Sequence, residues 1–477
     1  MAALAADDGD GQGVLRWTQA LFALEPRSAS AHYTLGRLQQ SQGSFAEAEA
    51  SYLRSLAIDG ANARAHNNLG CVLQMQGRLD EAVSSFQRAL QLDASLPQAK
   101  QNLAAITRDR GTLEEAAAAY RRVAAANPAD SQVCKDLGNV YRELGMHAQA
   151  LASFDEAIRR DPQNAEAHFS RSFELLLSGE YEEGFREFEW RWKVTGLNTP
   201  LRGFEQPLWD GRERPRETLL LHAEQGLGDS LFCVRYARAA AKRCGAVVVE
   251  CQGELVSLFG AVQGISGVVA QGGALPAFDT HLPLMSLPRV FGTTLPSIPW
   301  DGPYIRADAA RLEAWRAFIP ADARLKVGLA WAGRPQQGDD RKRSIALSML
   351  APLARSRGVA FYSLQKGPPA AQAAAPPPGM QLVDPGARLR DFADTAALVS
   401  HLDLVITIDT SVAHLAGAMA RPTWVLLTRV PDWRYHLEGE DCAWYPTMRL
   451  FRQQADGEWS DAIARVAREL EALASKR

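Results

Sequence analysis

The stretch Asp409-Thr410-Ser411-Val412-Ala413-His414 places an acid, two hydroxyls and an imidazole where an apolar run gives way to a helical pattern. Thr410 or Ser411 is suited to cap that helix. The free N–H groups and positive dipole end of a helix start receive an anion, and His414 follows one turn in. The same residues also fit an ordinary cap beside a buried Asp. A second group, Gly226-Leu227-Gly228-Asp229, follows the apolar run Thr218–His222. Leu231 stands where a dinucleotide fingerprint needs its third glycine, so that chemistry is excluded. Glycine allows close backbone approach to a substrate, and Asp229 then offers a carboxylate; a purely structural turn is the alternative. Cations gather at two further strand ends. One is the path from Trp331-Ala332-Gly333 through Asp339-Asp340-Arg341-Lys342-Arg343-Ser344, and the other is Ser363-Leu364-Gln365-Lys366-Gly367. Arg343 and Lys366 there could neutralise a diphosphate, or the loops could simply be solvated. Asp391-Phe392-Ala393-Asp394-Thr395 opens another helix, with Asp394 and Thr395 placed to meet a nucleoside.

These groups need a scaffold that brings strand ends together. Short apolar runs at 218–222, 246–250, 267–269 and 280–284 alternate with helical or turn segments, and a second series follows at 326–331, 359–365, 381–384, 403–409 and 423–427. Buried strands alternating with helices predict parallel α/β sheets. Their ligands bind beyond the carboxyl ends of the strands, which is where the groups above fall. We read an N-terminal lobe at 218–320 (acceptor side), a C-terminal lobe at 321–477 (donor side) and a proline-bearing linker at 196–217. The spacing predicts helices over Ser230–Arg243, Ser411–Ala420 and Ser460–Lys476, and a surface loop over Pro368–Gly379. Two such lobes in series describe the GT-B arrangement.

Ahead of them the chain repeats. Gly43, Gly77, Gly111, Gly145 and Gly179 are spaced 34 residues apart, as are Tyr52, Phe86, Tyr120, Phe154 and Phe188. Leu35-Gly36, Leu69-Gly70 and Leu137-Gly138 keep the same step. The pattern resembles the tetratricopeptide (TPR) repeat, with about five units over 14–195 and a leading half-repeat at 14–26. Each unit is then a pair of antiparallel helices whose small residues admit the neighbouring aromatic, and units must stack to bury that face. Such arrays offer a concave groove to peptides or proteins. Asn68, Asn102 and Asp136 fall on the groove-facing helices, and the two Asn residues match the ladder that grips peptide backbone in O-linked N-acetylglucosamine transferases; a plain solvated helix face fits them as well. The aromatic stretch Phe188-Glu189-Trp190-Arg191-Trp192 is expected to dock the array onto the next domain.

Bulk composition narrows the class. The 477 residues are 47% hydrophobic and 22% charged, with a formal net charge of −3. That balance gives no whole-chain attraction to nucleic acid or anionic lipid. Six cysteines occur without C-x-x-C spacing, and no strand-flanked D-x-D is present. A disulfide scaffold and a metal site are therefore not expected. Met1–Gly13 lacks the apolar core of a signal peptide, and no apolar run reaches the ~20 residues of a membrane span. The expectation is a cytoplasmic protein.

From about Leu208 to the end, the Gly228-Asp229 turn and the Asp409-Thr410-x-x-x-His414 element, with looser support from Trp331-x-Gly333, resemble the ADP-heptose:lipopolysaccharide heptosyltransferases. The chain is also similar to bacterial proteins that join TPR repeats to such a module. The resemblance implies a metal-independent inverting glycosyltransferase without a cofactor. It implies Asp229 as the base that deprotonates the acceptor, His414 beside it at the catalytic centre, and a nucleotide-sugar donor held by Asp409, Thr410, Ser411 and His414. A family Lys aligns with Arg343, and Ser411 stands where the family has Gly. The acceptor is then a protein recruited by the array, such as a surface or flagellar subunit. A non-catalytic TPR scaffold carrying a degenerate nucleotide-sugar module is the alternative, with a sugar-nucleotide epimerase behind it.

Overall fold

The computed structural model describes residues 28–476 except 94–95, 97, 101, 104–105, 107–112, 127, 196–201, 335–339 and 456. The expected half-repeat at 14–26, the Gly111 turn and Asp339 fall outside the described residues. The chain divides into two compact units, 1–167 and 168–477.

In the first unit, helices α1 (Ala29–Ser41), α2 (Phe45–Ile58), α3 (Ala63–Met75), α4 (Leu79–Leu92), α5 (Leu113–Ala126), α6 (Ser131–Glu143) and α7 (His147–Arg160) follow one another. The repeat operates through local chemistry. Ser28, Asn62 and Asp130, in phase at the 34-residue step, accept the backbone N–H of Ala31, Ala65 and Val133 and so start α1, α3 and α6. Gly43, Gly77 and Gly145 turn the chain between paired helices with φ of 76°, 78° and 71°, a left-handed conformation that disfavours any other residue. Gly36, Gly70 and Gly138 let the paired aromatic in: a Cβ there would lie 2.7, 2.6 and 2.5 Å from the rings of Tyr52, Phe86 and Phe154. Replacing Gly138 by Ala is expected to cost about 1–3 kcal/mol through overpacking. Chemical denaturation would register this as a lower midpoint with unchanged slope.

Helix α8 (Ala165–Leu177) spans the division, and α9 (Tyr181–Phe188) lies wholly in the second unit. The division at 167 therefore falls inside the expected array, whose last helical pair belongs with the second unit. The cause is packing: Leu176, Tyr181, Phe185 and Phe188 are part of the hydrophobic core that also contains the first sheet. The aromatic stretch does anchor there, with Arg191 buried between Glu189 and Glu224.

Two all-parallel sheets complete this unit. The first has the order β3 (Gly267–Ala270), β2 (Cys244–Cys251), β1 (Arg214–His222), β4 (Thr280–Pro283). The second runs β10 (Met448–Arg452), β9 (Thr423–Leu427), β8 (Leu404–Ile408), β5 (Leu325–Ala330), β6 (Val359–Ser363), β7 (Leu382–Val383). Nine expected strands are present. β10 was not foreseen, because its alternation Met448-Arg449-Leu450-Phe451-Arg452 is too short to signal itself beside the preceding loop. The linker expected over 196–217 is shorter, since β1 begins at Arg214 and Leu208 already bridges to His281. The expected helix over 230–243 is broken into α10 (Leu227–Cys233), a 3-10 turn at Val234–Tyr236 and α11 (Ala237–Ala241). The second lobe begins before 321: α12 (Ala309–Arg316) packs on α13 (Phe392–Ser400), and the N–H of Tyr304 donates to the Ala418 carbonyl. The last helices are α14 (Ser411–Ala418) and α15 (Ser460–Ala474). Among the described residues no helix is long and apolar enough to cross a membrane.

Candidate functional site

A cavity of about 620 Å³ opens where the carboxyl ends of β1, β5, β6 and β8 face one another within the second unit. Nearly all of the site residues picked from the α/β region line it: Asp229, Arg343, Lys366, Thr395, Asp409, Thr410, Ser411 and His414. Asp394 does not. Its carboxylate takes the N–H and guanidinium of Arg390 and lies 3.1 Å from Arg311. Burial raises its pKa, but those partners outweigh it and hold the group below the usual range. Asp394 therefore fastens the start of α13 instead of meeting a ligand.

The two glycine-dependent turns touch. A Cβ on Gly228 would sit 2.7 Å from His414 Cδ2, so only glycine lets α10 begin against α14. Thr410 caps α14, accepting the Val412 N–H at 3.3 Å. His414 is buried; its Nδ1 is 3.0 Å from the Tyr445 hydroxyl. Desolvation, aided by Arg434, Arg235 and Arg343, lowers its pKa well below the ordinary value. His414 is thus a neutral imidazole, suited to hydrogen bonding and not to donating a proton as an imidazolium. Gly333 lets Asp340 pack close, since a Cβ would reach 2.0 Å from Asp340 Oδ1 and displace that carboxylate. The Gly333 N–H donates to Ser344 Oγ, which donates in turn to Asp340. Gln365 ties the ends of β5 and β6, accepting the Trp331 and Ala332 N–H at 2.9 Å each. Lys366 reaches the Leu389 carbonyl at 2.6 Å, leaving two of its three protons for other acceptors.

What the sequence reading missed is Pro431-Asp432-Trp433-Arg434-Tyr435. Arg434 is 5% exposed and donates to Asp229 Oδ1 at 2.6 Å, while its other nitrogen spans both oxygens of Asp432 at 3.0 and 3.1 Å. Its guanidinium also lies 4.5 and 4.4 Å from the ring centres of Phe232 and Trp433. The second oxygen of Asp229 accepts the Gly226 N–H at 3.0 Å. Asp229 is therefore held from two sides where it lines the cavity. Tyr435 donates to Asp409 at 3.1 Å, and Arg343 is 3.8 Å from the other Asp409 oxygen. The one available signal was position: the stretch follows β9, another carboxyl end of the same sheet. Glu224, just past β1, was missed for the same reason. Burial pushes it up to about 7 against the pull of Arg191.

Burial, then repulsion from Asp432, raises Asp409 to about 6 from 3.8. An acid whose folded pKa is raised keeps its proton in the folded state where the unfolded chain has lost it. Stability from this group is therefore full below about pH 4 and declines as pH rises through 6. Asp409→Asn, which mimics the protonated form, is expected to match the wild type at pH 4. It should become more stable by roughly 2–3 kcal/mol at pH 7. Unfolding curves across that range check this; a difference independent of pH would contradict it.

In the first unit, the Asn67 amide donates to Asn68, Asn68 donates to Tyr33, and Asn102 donates to Asn67. The ladder residues are thus brought together across successive repeats. Asp136 is paired instead with Lys135 at 2.8 Å. Among the described residues no group of three or more His, Cys, Asp or Glu is placed to hold a metal.

Comparison with known proteins places TPR repeats in the N-terminal region. Tetratricopeptide-repeat families match residues 28–95 and 67–131, and a TPR-repeat family matches 138–172. The chain is 26% identical over 363 residues to Protein FlbA of Caulobacter vibrioides, covering 67% of this chain and 58% of FlbA. It thus spans a little over half the length of that relative. Among solved structures, MamA is 21% identical, with a TM-score of 0.29, covering 35% of this chain and 97% of MamA. PilF of Pseudomonas aeruginosa is 20% identical, with a TM-score of 0.32, covering 41% and 88%. YrrB, described as a TPR protein with an unusual peptide-binding site, is 18% identical, with a TM-score of 0.28, covering 38% and 93%.

Proposed function

We propose that the second unit is a GT-B glycosyltransferase module that moves a sugar from a nucleotide-sugar donor to an acceptor with inversion. The observation that carries this is the meeting of two turns, Gly226–Asp229 and Asp409–His414, in one cavity at the carboxyl ends of both parallel sheets. A carboxylate lies on one side and a helix start with nearby cations on the other. Asp229 takes the proton of an acceptor hydroxyl or amide as that atom bonds to the anomeric carbon. The bond from that carbon to the diphosphate oxygen breaks, and the nucleoside diphosphate leaves with the electron pair. Its charge is met by Arg343, Lys366 and the first turn of α14. These cations and N–H groups do the work that a divalent ion does elsewhere, so the reaction is taken as metal-independent.

The acceptor is proposed to be a protein or peptide bound by the TPR array, since such arrays commonly bind peptides and Asn68 and Asn102 stand at the ladder positions of their repeats. A cytoplasmic site of action goes with a nucleotide-sugar donor. The ion pair between Asp229 and Arg434 favours a second reading, in which the module senses a nucleotide sugar without turnover. Calorimetry against a panel of nucleoside-diphosphate sugars, followed by an assay for released nucleoside diphosphate, tests both. A donor at 100 times its Kd should stabilise the chain by about 2.7 kcal/mol. Binding without release, with peptide acceptors present, supports the sensor. Failure of every donor to bind overturns both.

A further inference from the structure

A second cavity, of about 380 Å³, is lined by residues from 234–242, 261–263 and 299–306 and shares no lining residue with the first. The segment 227–241 runs from the Asp229 turn, beyond the end of β1, towards the start of β2 at Cys244. Arg235 in the 3-10 turn, Arg238 on α11 and Lys242 just beyond α11 all line this cavity. Arg306 and Trp300 come from the strap 299–306 that leads into the second lobe. Four cations therefore border one small cavity, against a single carboxylate. That carboxylate is Asp301, 80% exposed and 3.2 Å from Arg238. Among the described residues neither Lys242 nor Arg306 makes an ion pair.

Arg235 is the decisive residue. It is 5% exposed, yet no carboxylate among the described residues lies within ion-pair distance. Its hydrogen bonds go to neutral acceptors: the Phe232 and Trp444 carbonyls at 3.0 Å each and the Tyr304 hydroxyl at 3.1 Å. These use three of its five protons. The rings of Phe232, Tyr304, Trp444 and Tyr445 surround it at 4.7–5.2 Å, which offsets part of the desolvation cost. A buried cation without a counter-ion is costly, and an anion entering this cavity supplies one.

We infer that this cavity binds a phosphate monoester, with its phosphate on Arg238, Lys242 and Arg306 beside the buried charge of Arg235, and a sugar ring against Trp300. Its volume is at the small end of ligand pockets, which suits a compact molecule and not a dinucleotide. A monoester carries nearly two negative charges at neutral pH, which the four cations, less the one carboxylate, can neutralise. The site is independent of the transfer chemistry proposed above and stands or falls separately.

The test titrates the full chain with inorganic phosphate and with a hexose 6-phosphate at constant ionic strength, reading heat and melting temperature. Saturable binding is expected for both, tighter for the sugar phosphate. The double variant Arg238→Glu, Arg306→Glu is expected to weaken both at least tenfold. These residues are at the rim, so the variant should fold. Arg343→Ala, in the first cavity, should leave this binding unchanged. A response reproduced by sodium chloride, or one retained in the double variant, overturns the proposal. Loss in Arg343→Ala assigns the phosphate to the first cavity and also overturns it. Equal affinity for the two ligands overturns the part played by the sugar ring.

Discussion

Asp229→Asn is expected to lower turnover by about 10²–10⁴-fold while donor affinity changes little. The isosteric amide retains an oxygen for the Gly226 N–H, which reaches Asp229 at 3.0 Å, so the turn should survive. What goes is the proton acceptor. Because the base acts only as the acceptor attacks, the loss belongs in kcat and not in KM. Arg434 keeps Asp432 as a partner, so the fold should lose no more than a charge-assisted hydrogen bond, about 1.5–3 kcal/mol. Steady-state rates with calorimetric donor binding decide the matter. Turnover equal to wild type would falsify the assignment of Asp229 as base, whatever the donor proves to be. A parallel fall in donor affinity would place the carboxylate in donor binding instead.

Arg434→Met should be the most damaging single change in the second unit. The guanidinium stands between Asp229 and Asp432 and stacks on two aromatic rings. Its removal leaves carboxylates facing one another, beside an Asp409 already raised to about 6 by burial and by Asp432. Breaking a buried charge pair from one side costs about 3–5 kcal/mol. Protonating Asp409 relieves part of the repulsion, so the deficit should shrink as pH falls below about 6. Arg434→Lys keeps the charge but not the two-sided fork, and should fall between. Thermal unfolding at pH 4 and 7.5 checks this. A Met variant as stable as wild type at pH 7.5 would remove Arg434 from the framework of the site.

The two variants also separate chemistry from architecture. If Asp229 is a base oriented by Arg434, Arg434→Lys should cost turnover beyond its cost in stability. If the pair only closes the turn, rate and stability should decline together.

Much was legible before any coordinates. Periodic features carry their own evidence: Gly36, Gly70 and Gly138 with Tyr52, Phe86 and Phe154 announced a repeat because each pair solves the same local packing problem. Buried parallel strands announced themselves as apolar runs, and the turns at Gly226–Asp229 and Asp409–His414 were visible because strand-end glycines, acids and hydroxyls have few local uses. Asp394 misled because an acid opening a helix looks the same whether it faces a ligand or arginines; Arg390 is a near neighbour, but only the fold brings Arg311 to it.

The residues alone therefore determined the repeat, all strands but β10 and most of the cavity lining. Tertiary structure alone decided that the last helical hairpin belongs to the second unit, that Arg434 grips Asp229 from 205 positions away, and that Arg235 is buried without a carboxylate. The physical reason is range. Helix caps, turns and periodic faces are settled by neighbours a few residues apart, whereas an ion pair or a buried charge depends on which distant segments the core draws together.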